Sequence, residues 1–271
     1  RKLISERDYS RSFIEIDDQI GLQIDRGVNI LSGYSPEGRV GEKHKFSLIY
    51  AKFEKGFDYF AKTRLLETIK AREAVARARQ HLAMGRKVVV FHDYIEANVY
   101  HPFQFTKRGI AKDDITGNAE ATKAWNAEVD RFDQEFPELA KLNLGGLHST
   151  IDAFRREFGD RVAFFNGRES AKNRANGIRQ FNSDDSTVQV IVVQRDAGKE
   201  GISLHDVTGT HQRALIDLGL PTAPTEAIQT EGRIYRYGNA SNAIIEYLKT
   251  NTQYEEHISG QKVATRARTA E

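Results

Sequence analysis

The segment from Pro224 to Gly238, PTEAIQTEGRIYRYG, sets Gln229, Gly232, Arg233 and Arg236 at positions i, i+3, i+4 and i+7. A proline that a first helical turn tolerates opens it and a glycine suited to a helix end closes it, so it predicts a helix over 224–237. On a helix that spacing gathers the four residues into one stripe. Two guanidiniums and an amide, with a glycine removing bulk between them, can approach an anion such as a triphosphate closely. Arginine brings fixed charge and forked donors to a phosphoryl group in transfer. The same spacing also describes a solvated basic face, and taken alone it leaves both open.

Two further segments carry the same kind of chemistry. In Gln194–Asp206, QRDAGKEGISLHD, the glycines Gly198 and Gly201 follow a buried apolar run. They would let a loop bring backbone donors to the phosphates of a nucleotide or a nucleic-acid strand, with Lys199 adding charge; a simple turn is the other possibility. In Phe165–Asn182, FNGRESAKNRANGIRQFN, a strand ends in Asn166, Gly167 and Arg168. Open α/β sheets bind ligands at such carboxyl ends, so Arg168 is either a phosphate contact or a surface arginine in a turn. His92 and Asp93 follow another apolar run, and a histidine there reads as a hydrogen-bonding structural group.

Other chemistries find no support. Without cysteine there is no thiolate nucleophile, disulfide framework or cysteine zinc site, which is compatible with a reducing cytoplasm. His205 and His211 lack partners at metal-ligand spacing, and no metal site is expected. No G-x-S-x-G elbow occurs. The pairs Asp113-Asp114 and Asp184-Asp185 flank predicted helices as caps or turns. The nearest approach to a phosphate loop, Gly33–Val40 (GYSPEGRV), has arginine and valine where lysine and a hydroxyl are needed, and Phe13–Asp18 (FIEIDD) reads as a half-buried strand.

The elements that must position these residues follow from apolar period. The runs Lys87–Phe91, Arg161–Phe165, Val188–Val193 and Ala243–Leu248, with Ala214–Leu218 as a weaker fifth, read as buried strands of a mostly parallel sheet. Helices are predicted at 63–84, with Leu65, Ile69, Ala76 and Ala83 on one face and Arg72 intruding, and at 118–142, 150–158, 170–181 and 252–266. This alternation predicts an α/β fold. Residues 1–60 form a lead-in with a possible hairpin, over Ile14–Ile30, and a helix, residues 61–271 the main domain, and about 94–148 a mostly helical insertion. The 271 residues, 39% hydrophobic, suffice for a full core. Forty basic and 38 acidic side chains leave a net charge of +2, so any basic surface is local. No apolar run approaches the ~20 residues that span a bilayer, so no membrane partner is expected. The chain opens on arginine and reads as a piece of a longer protein.

QTEGRIYRYG resembles motif VI of superfamily 2 helicases, Q-x-x-G-R-x-x-R, with every specified position present. QRDAGKEGISLHD resembles motif V in the A-G-x-x-G-hydrophobic-x-L form of Swi2/Snf2-like translocases. The segment after Gly167 resembles the stretch following motif IV, through Arg174, Ile178 and Phe181. KVVVFHD resembles motif IV, and Ala243–His257 resembles the strand and helix that close these lobes. The resemblance runs in the family's order over Thr63–Arg266, and Tyr9–Ile30 is similar to the lead-in of strawberry-notch-like proteins.

This resemblance implies a three-layer RecA-like second lobe of an ATP-dependent helicase or translocase, with a helical insertion. It implies Arg233 and Arg236 as catalytic arginines, with Gln229, Gly201 and Gly232 on the nucleotide. Asn166, Gly167, Arg168, Gly198 and Lys199 would lie on nucleic acid, DNA rather than RNA. ATP with Mg2+ would be held mainly by an N-terminal RecA-like lobe of the same protein, so that this lobe alone hydrolyses nothing. The alternative is a non-catalytic nucleic-acid-binding or protein-interaction scaffold on the same fold.

Overall fold

The structure, a computed structural model, describes residues 9–35, 45–109, 118–199, 201–219 and 224–257. They fall into two compact units. One comprises the described residues up to Asp17, Leu66–Ala97 and those from Leu147 onward; the other comprises Asp18–Leu65 and Asn98–Gly146.

The first unit is built on six strands, β1 (Tyr9–Ile16), β2 (Lys87–His92), β3 (Val162–Phe165), β4 (Val190–Gln194), β5 (Arg213–Asp217) and β6 (Ala243–Thr250). Their order is β1-β6-β5-β2-β4-β3, and every pairing is parallel. A parallel sheet must be covered on both faces, which is why β2, β4 and β5 are continuously apolar rather than alternating. On one face Val89, Phe91, Ile191, Val193 and Leu215 meet Phe181 of α7 (Ala171–Asn182). On the other, Val88, Val90, Val190 and Val192 meet α3 (Tyr59–Ala83) and α6 (Thr150–Phe158). The result is a three-layer RecA-like fold, and the five predicted strands are all present.

Three expectations need correction. The hairpin over Ile14–Ile30 does not form: β1 ends at Ile16 and pairs in parallel with β6, and α1 (Gln19–Ser32) follows. Asp18 starts that helix, its carboxylate accepting from the amide of Ile20 at 2.8 Å, so the turn between the two apolar runs is an N-cap. Helix α3 is also phased differently. Its contact with the sheet is made by Ala71, Ala74 and Ala78, while Ala76 is half-buried and Ala83 exposed. Small side chains there let the helix approach β-branched strands, while Leu65 and Ile69 of the predicted face are buried as expected. The helix predicted over 118–142 breaks into α4 (Asn118–Glu135) and α5 (Pro137–Ala140), because Pro137 removes a donor and starts a new first turn.

The second unit has its own aromatic core. Phe46, on the N-terminal side of α2 (Ser47–Gly56), stacks edge-on with Phe132, which stacks edge-on with Phe105. Glu128 of α4 accepts from the amides of Leu48 and Ile49 at 3.0 and 3.1 Å, capping α2; burial pushes its carboxyl up. Phe103 lies so close to α1 that a Cβ on Gly27 would stand 2.3 Å from its ring.

Because all six strands of the first unit run the same way, the carboxyl ends of the adjacent β5, β2 and β4 open at one edge of the sheet, where such folds place ligands.

Candidate functional site

Helix α8 (Pro224–Glu231) lies beside that edge and ends earlier than predicted. Gly232 still donates to the carbonyl of Ile228 at 2.9 Å, but Arg233 and Ile234 turn back to the carbonyls of Thr230 and Glu231, both at 3.1 Å, which tightens and closes the helix. The cause is tertiary. Ile234 is fully buried in the core, and the carbonyl of Arg233 accepts from the amide of Leu204 at 2.8 Å, so it is committed to the stretch after Gly201. The stripe from Gln229 to Arg236 is thus a correction: it is not one continuous helical face.

What forms instead is a small cleft, open to solvent, lined by Phe91, Arg195, Gly198 and four residues from α8 and its exit, Glu226, Gln229, Thr230 and Arg233. Gln229 and Arg233 therefore do share a site. Arg233 is half-buried. Its guanidinium is held below its ordinary pKa by burial and by the charge of Arg236, so the neighbouring charge acting on it is a second cation. Such a pair gains by receiving an anion. Arg236 is outside the cleft lining, and its Nε donates to the carbonyl of Gly232 at 3.1 Å. Its charge also reaches His205, whose pKa is lowered by burial, then by Arg236 and Arg213; His205 Nδ1 lies 2.7 Å from Ser203 Oγ.

The glycines divide by role. Gly198 is a close approach: a Cβ there would stand 2.8 Å from Val193 and 3.0 Å from Phe91. Gly201 has φ of +23° with nothing within 4 Å of a Cβ, so its requirement is conformational. Gly232 sits at the exit of α8. Lys199 ends a short 3-10 turn, Ala197–Lys199, and its side chain lies outside the described residues.

The strand-end group after β3 is a built turn. Asn166 is buried, its Oδ1 accepting from the amide of Arg168 at 2.9 Å, and the amide of Gly167 donates to Gln194 Oε1 at 3.2 Å. Arg168 projects outward, paired with the carboxylate of Glu96. The predicted closing helix over 252–266 begins with residues 253–257, and the rest lies outside the described residues, as do most of Gly33–Val40 and the pair Asp113-Asp114.

Sequence reasoning missed Arg195, the most heavily bonded group in the cleft. It follows β4 directly and is buried. Nε donates to Asp93 Oδ1 at 2.7 Å, Nη2 to Asp217 Oδ1 at 2.5 Å and to the carbonyl of Gly219 at 3.1 Å, and Nη1 to Asp217 Oδ2 and Thr230 Oγ1, both at 3.3 Å. Burial opposes its charge, but Asp217 and Asp93 more than offset this and hold its pKa above the ordinary value. Asp217 is fully buried, and burial pushes its carboxyl up to about 6 against the pull of Arg195. The signal was available: Asp93, Arg195 and Asp217 all stand at the carboxyl ends of predicted strands.

No curated protein matches the sequence. Solved structures that resemble it include the C-terminal part of the Fun30 ATPase domain, at 14% identity and a TM-score of 0.41 over 72% of this chain and 44% of that one. The RNA helicase Prp28 from Chaetomium thermophilum bound to ADP matches at 13% identity and 0.36 over 73% and 35%. Domain 2 of the DEAD-box helicase Mss116p bound to an RNA duplex matches at 12% and 0.35 over 69% and 51%. The chain thus spans between 35% and 51% of the length of these structures. Residues 146–238 match the family described as helicase conserved C-terminal domain. That segment holds β3, β4, β5, α7 and α8, and every cleft-lining residue except Phe91. Over that segment the chain is similar to the helicase conserved C-terminal domain.

Proposed function

We propose that the chain is the C-terminal motor lobe of an ATP-dependent superfamily 2 helicase or translocase, of the Swi2/Snf2-like or strawberry-notch-like group, acting in the cytoplasm. The observation that carries this is the shared cleft of Gln229 and Arg233 at the carboxyl edge of a parallel sheet, with Arg236 close enough to act on Arg233. A pair of cations at an open cleft suits the phosphates of ATP. Gln229, Gly201 and Gly232 would shape the nucleotide side, and Arg233 and Arg236 would meet the charge that develops on the transferred phosphoryl group. Arg236 reaches it by leaving the Gly232 carbonyl when the cleft closes.

Neither a phosphate loop nor an acidic Mg2+-holding motif is found in the sequence. An N-terminal RecA-like lobe of the same protein would supply both, holding ATP with Mg2+ between the lobes. Closing and reopening of that interface then moves the lobes along a nucleic-acid strand, DNA in preference to RNA. The strand's backbone would be met by Asn166, Gly167, Arg168, Gly198 and Lys199: Asn166 and Gly198 shape the backbone there, and Arg168 and Lys199 supply charge.

The test joins this chain to its first lobe and measures nucleic-acid-stimulated ATP hydrolysis. Arg233→Ala should lower the rate by ~10³ or more, and the 271-residue chain alone should hydrolyse nothing. An unchanged rate in Arg233→Ala overturns the finger role, and steady turnover by the chain alone overturns its dependence on a second lobe.

A further inference from the structure

We infer that Arg195 is the positioning residue of the cleft: it fixes α8, and so the places of Gln229 and Arg233, without itself receiving the ligand. This rests on taking the cleft as the nucleotide site.

An arginine has five N–H donors, and a cation beside a phosphate site is first suspected of binding phosphate. Here the donors are spent within the protein. Nε is on Asp93, both terminal nitrogens are on Asp217, and the same two nitrogens also reach Gly219 and Thr230. Glu226 of α8 adds a third carboxylate, 4.0 Å from Nε. With Asp217 wholly buried and Arg195 nearly so, turning the guanidinium toward a ligand would strand a carboxylate in the interior. Arg195 is therefore a tie. It joins the ends of β2, β4 and β5 to the last turn of α8, through Asp93, its own backbone, Asp217 and Thr230.

Two neighbouring features fit the tie. The chain leaves β5 through Gly219, where a Cβ would lie 2.4 Å from Asp93 Oδ2 and 2.5 Å from Arg195 Nη2; no side chain larger than hydrogen leaves the cluster intact. Asp93 is itself placed from behind, because Glu67 of α3 accepts from the amides of Asp93 and Tyr94 at 2.8 and 3.2 Å. Glu67, Asp93, Arg195 and Thr230 thus form a continuous series of polar contacts from α3 to α8. Thr230 and Gln229 are consecutive, and Arg233 follows one turn later, so a shift at Thr230 moves both ligand-side groups.

The experiment uses the 271-residue chain with Arg195→Met, Arg195→Lys, Asp93→Asn and Arg233→Ala. It measures thermal unfolding, hydrogen exchange of the α8 amides, and Mg-ADP binding by NMR titration into the millimolar range. Lysine can still lie between the two aspartates as a point charge but cannot span to Thr230 and Gly219 together. Arg195→Lys should therefore recover the unfolding temperature lost in Arg195→Met. It should still exchange the α8 amides about tenfold faster than wild type and bind Mg-ADP as weakly as Arg233→Ala. Asp93→Asn, at a partly exposed carboxylate, should show the same split in milder form and serves if Arg195→Met does not fold. Recovery of stability, α8 protection and affinity together in Arg195→Lys means a structural ion pair only and overturns the proposal, as does unchanged α8 exchange in Asp93→Asn and Arg195→Lys. If Arg233→Ala binds Mg-ADP as wild type does, the nucleotide cleft fails, and faster α8 exchange in the Arg195 variants still decides the tie.

Discussion

Glu231 closes α8 with both carboxylate oxygens engaged by Arg11 of β1, Oε1 receiving Nε at 2.8 Å and Oε2 receiving Nη2 at 2.6 Å. Tyr247 of β6 donates its hydroxyl to the same Oε1 at 2.6 Å. The last turn of the cleft helix is therefore fastened twice, by Glu231 to the two strands at one edge of the sheet and by the adjacent Thr230, through Arg195, to the other strands. Burial and the nearby carboxylates Asp217 and Glu231 hold the Tyr247 phenol protonated as the donor.

That fork makes β1 part of the site's support. In a double-mutant cycle between Arg11→Met and Glu231→Gln, followed by urea unfolding, the two residues should show a coupling of about 1–3 kcal/mol. Removing Arg11 alone should cost more than removing both, because it leaves a nearly buried carboxylate with one neutral donor. Additive effects would mean that the fork contributes nothing.

The strands were legible because a parallel sheet buried on both faces writes itself as short apolar runs, and Val88–Phe91 and Val190–Val193 are entirely buried. β1 was legible only in its second half: the alternation of an edge strand shows in Phe13–Asp18, which reads as a half-buried strand, and Ile14 and Ile16 do turn inward while Glu15 stays outside, but its start at Tyr9 and its pairing were not legible. Its partner β6 is more than two hundred residues away, and no local pattern encodes that. In the site, the types and order of Gln229, Gly232, Arg233 and Arg236 were readable, whereas the end of α8 was not. It is set by the Leu204 amide and by the burial of Ile234, both of them tertiary. Arg195 escaped notice because its meaning depends on two aspartates on neighbouring strands that are distant in sequence.

Glu246 of β6 gives the first unit a defined acid sensitivity. Burial alone would raise its carboxyl, but the side-chain hydrogen bonds from Arg77, the first at 2.5 Å, and from His81 win, and its pKa falls to about 2. A carboxyl whose folded pKa lies below its unfolded value contributes stability that is present above the unfolded value and lost as pH falls through the folded one. The window is therefore about 4.5 down to about 2, and the contribution is about 3 kcal/mol. Glu246→Gln should unfold more easily at neutral pH and lose about 3 kcal/mol less than wild type on going from pH 5 to pH 2. Parallel pH curves for the two proteins would refute this.

Gly27 tests the core of the second unit. Helix propensity alone favours alanine in mid-helix by about 1 kcal/mol. Against that, a Cβ would stand 2.3 Å from the ring of Phe103, which is fully buried and cannot swing away. Overpacking of this kind costs about 1–3 kcal/mol, so Gly27→Ala should lower the unfolding temperature, and Gly27→Ala with Phe103→Leu should recover part of the loss. A more stable Gly27→Ala would mean that α1 and the Phe103 segment do not approach as described.

The pair of Arg168 and Glu96 sets the sign of a nucleic-acid prediction. Both side chains are more than a third exposed, at 61% and 50%, so the pair is held weakly and a phosphate can displace the carboxylate. If Arg168 meets a nucleic-acid backbone, Glu96 competes for it, and the two substitutions act in opposite directions. Arg168→Ala should weaken binding of a single-stranded oligonucleotide uniformly across sequences and reduce the salt slope by about 1. Glu96→Gln should strengthen binding, because the guanidinium is released without loss of its charge. A purely structural pair predicts the same sign for both, since each substitution would then only loosen the turn held by Asn166. Anisotropy titrations at two salt concentrations separate these outcomes, and equal weakening in both variants would remove Arg168 from the nucleic-acid face.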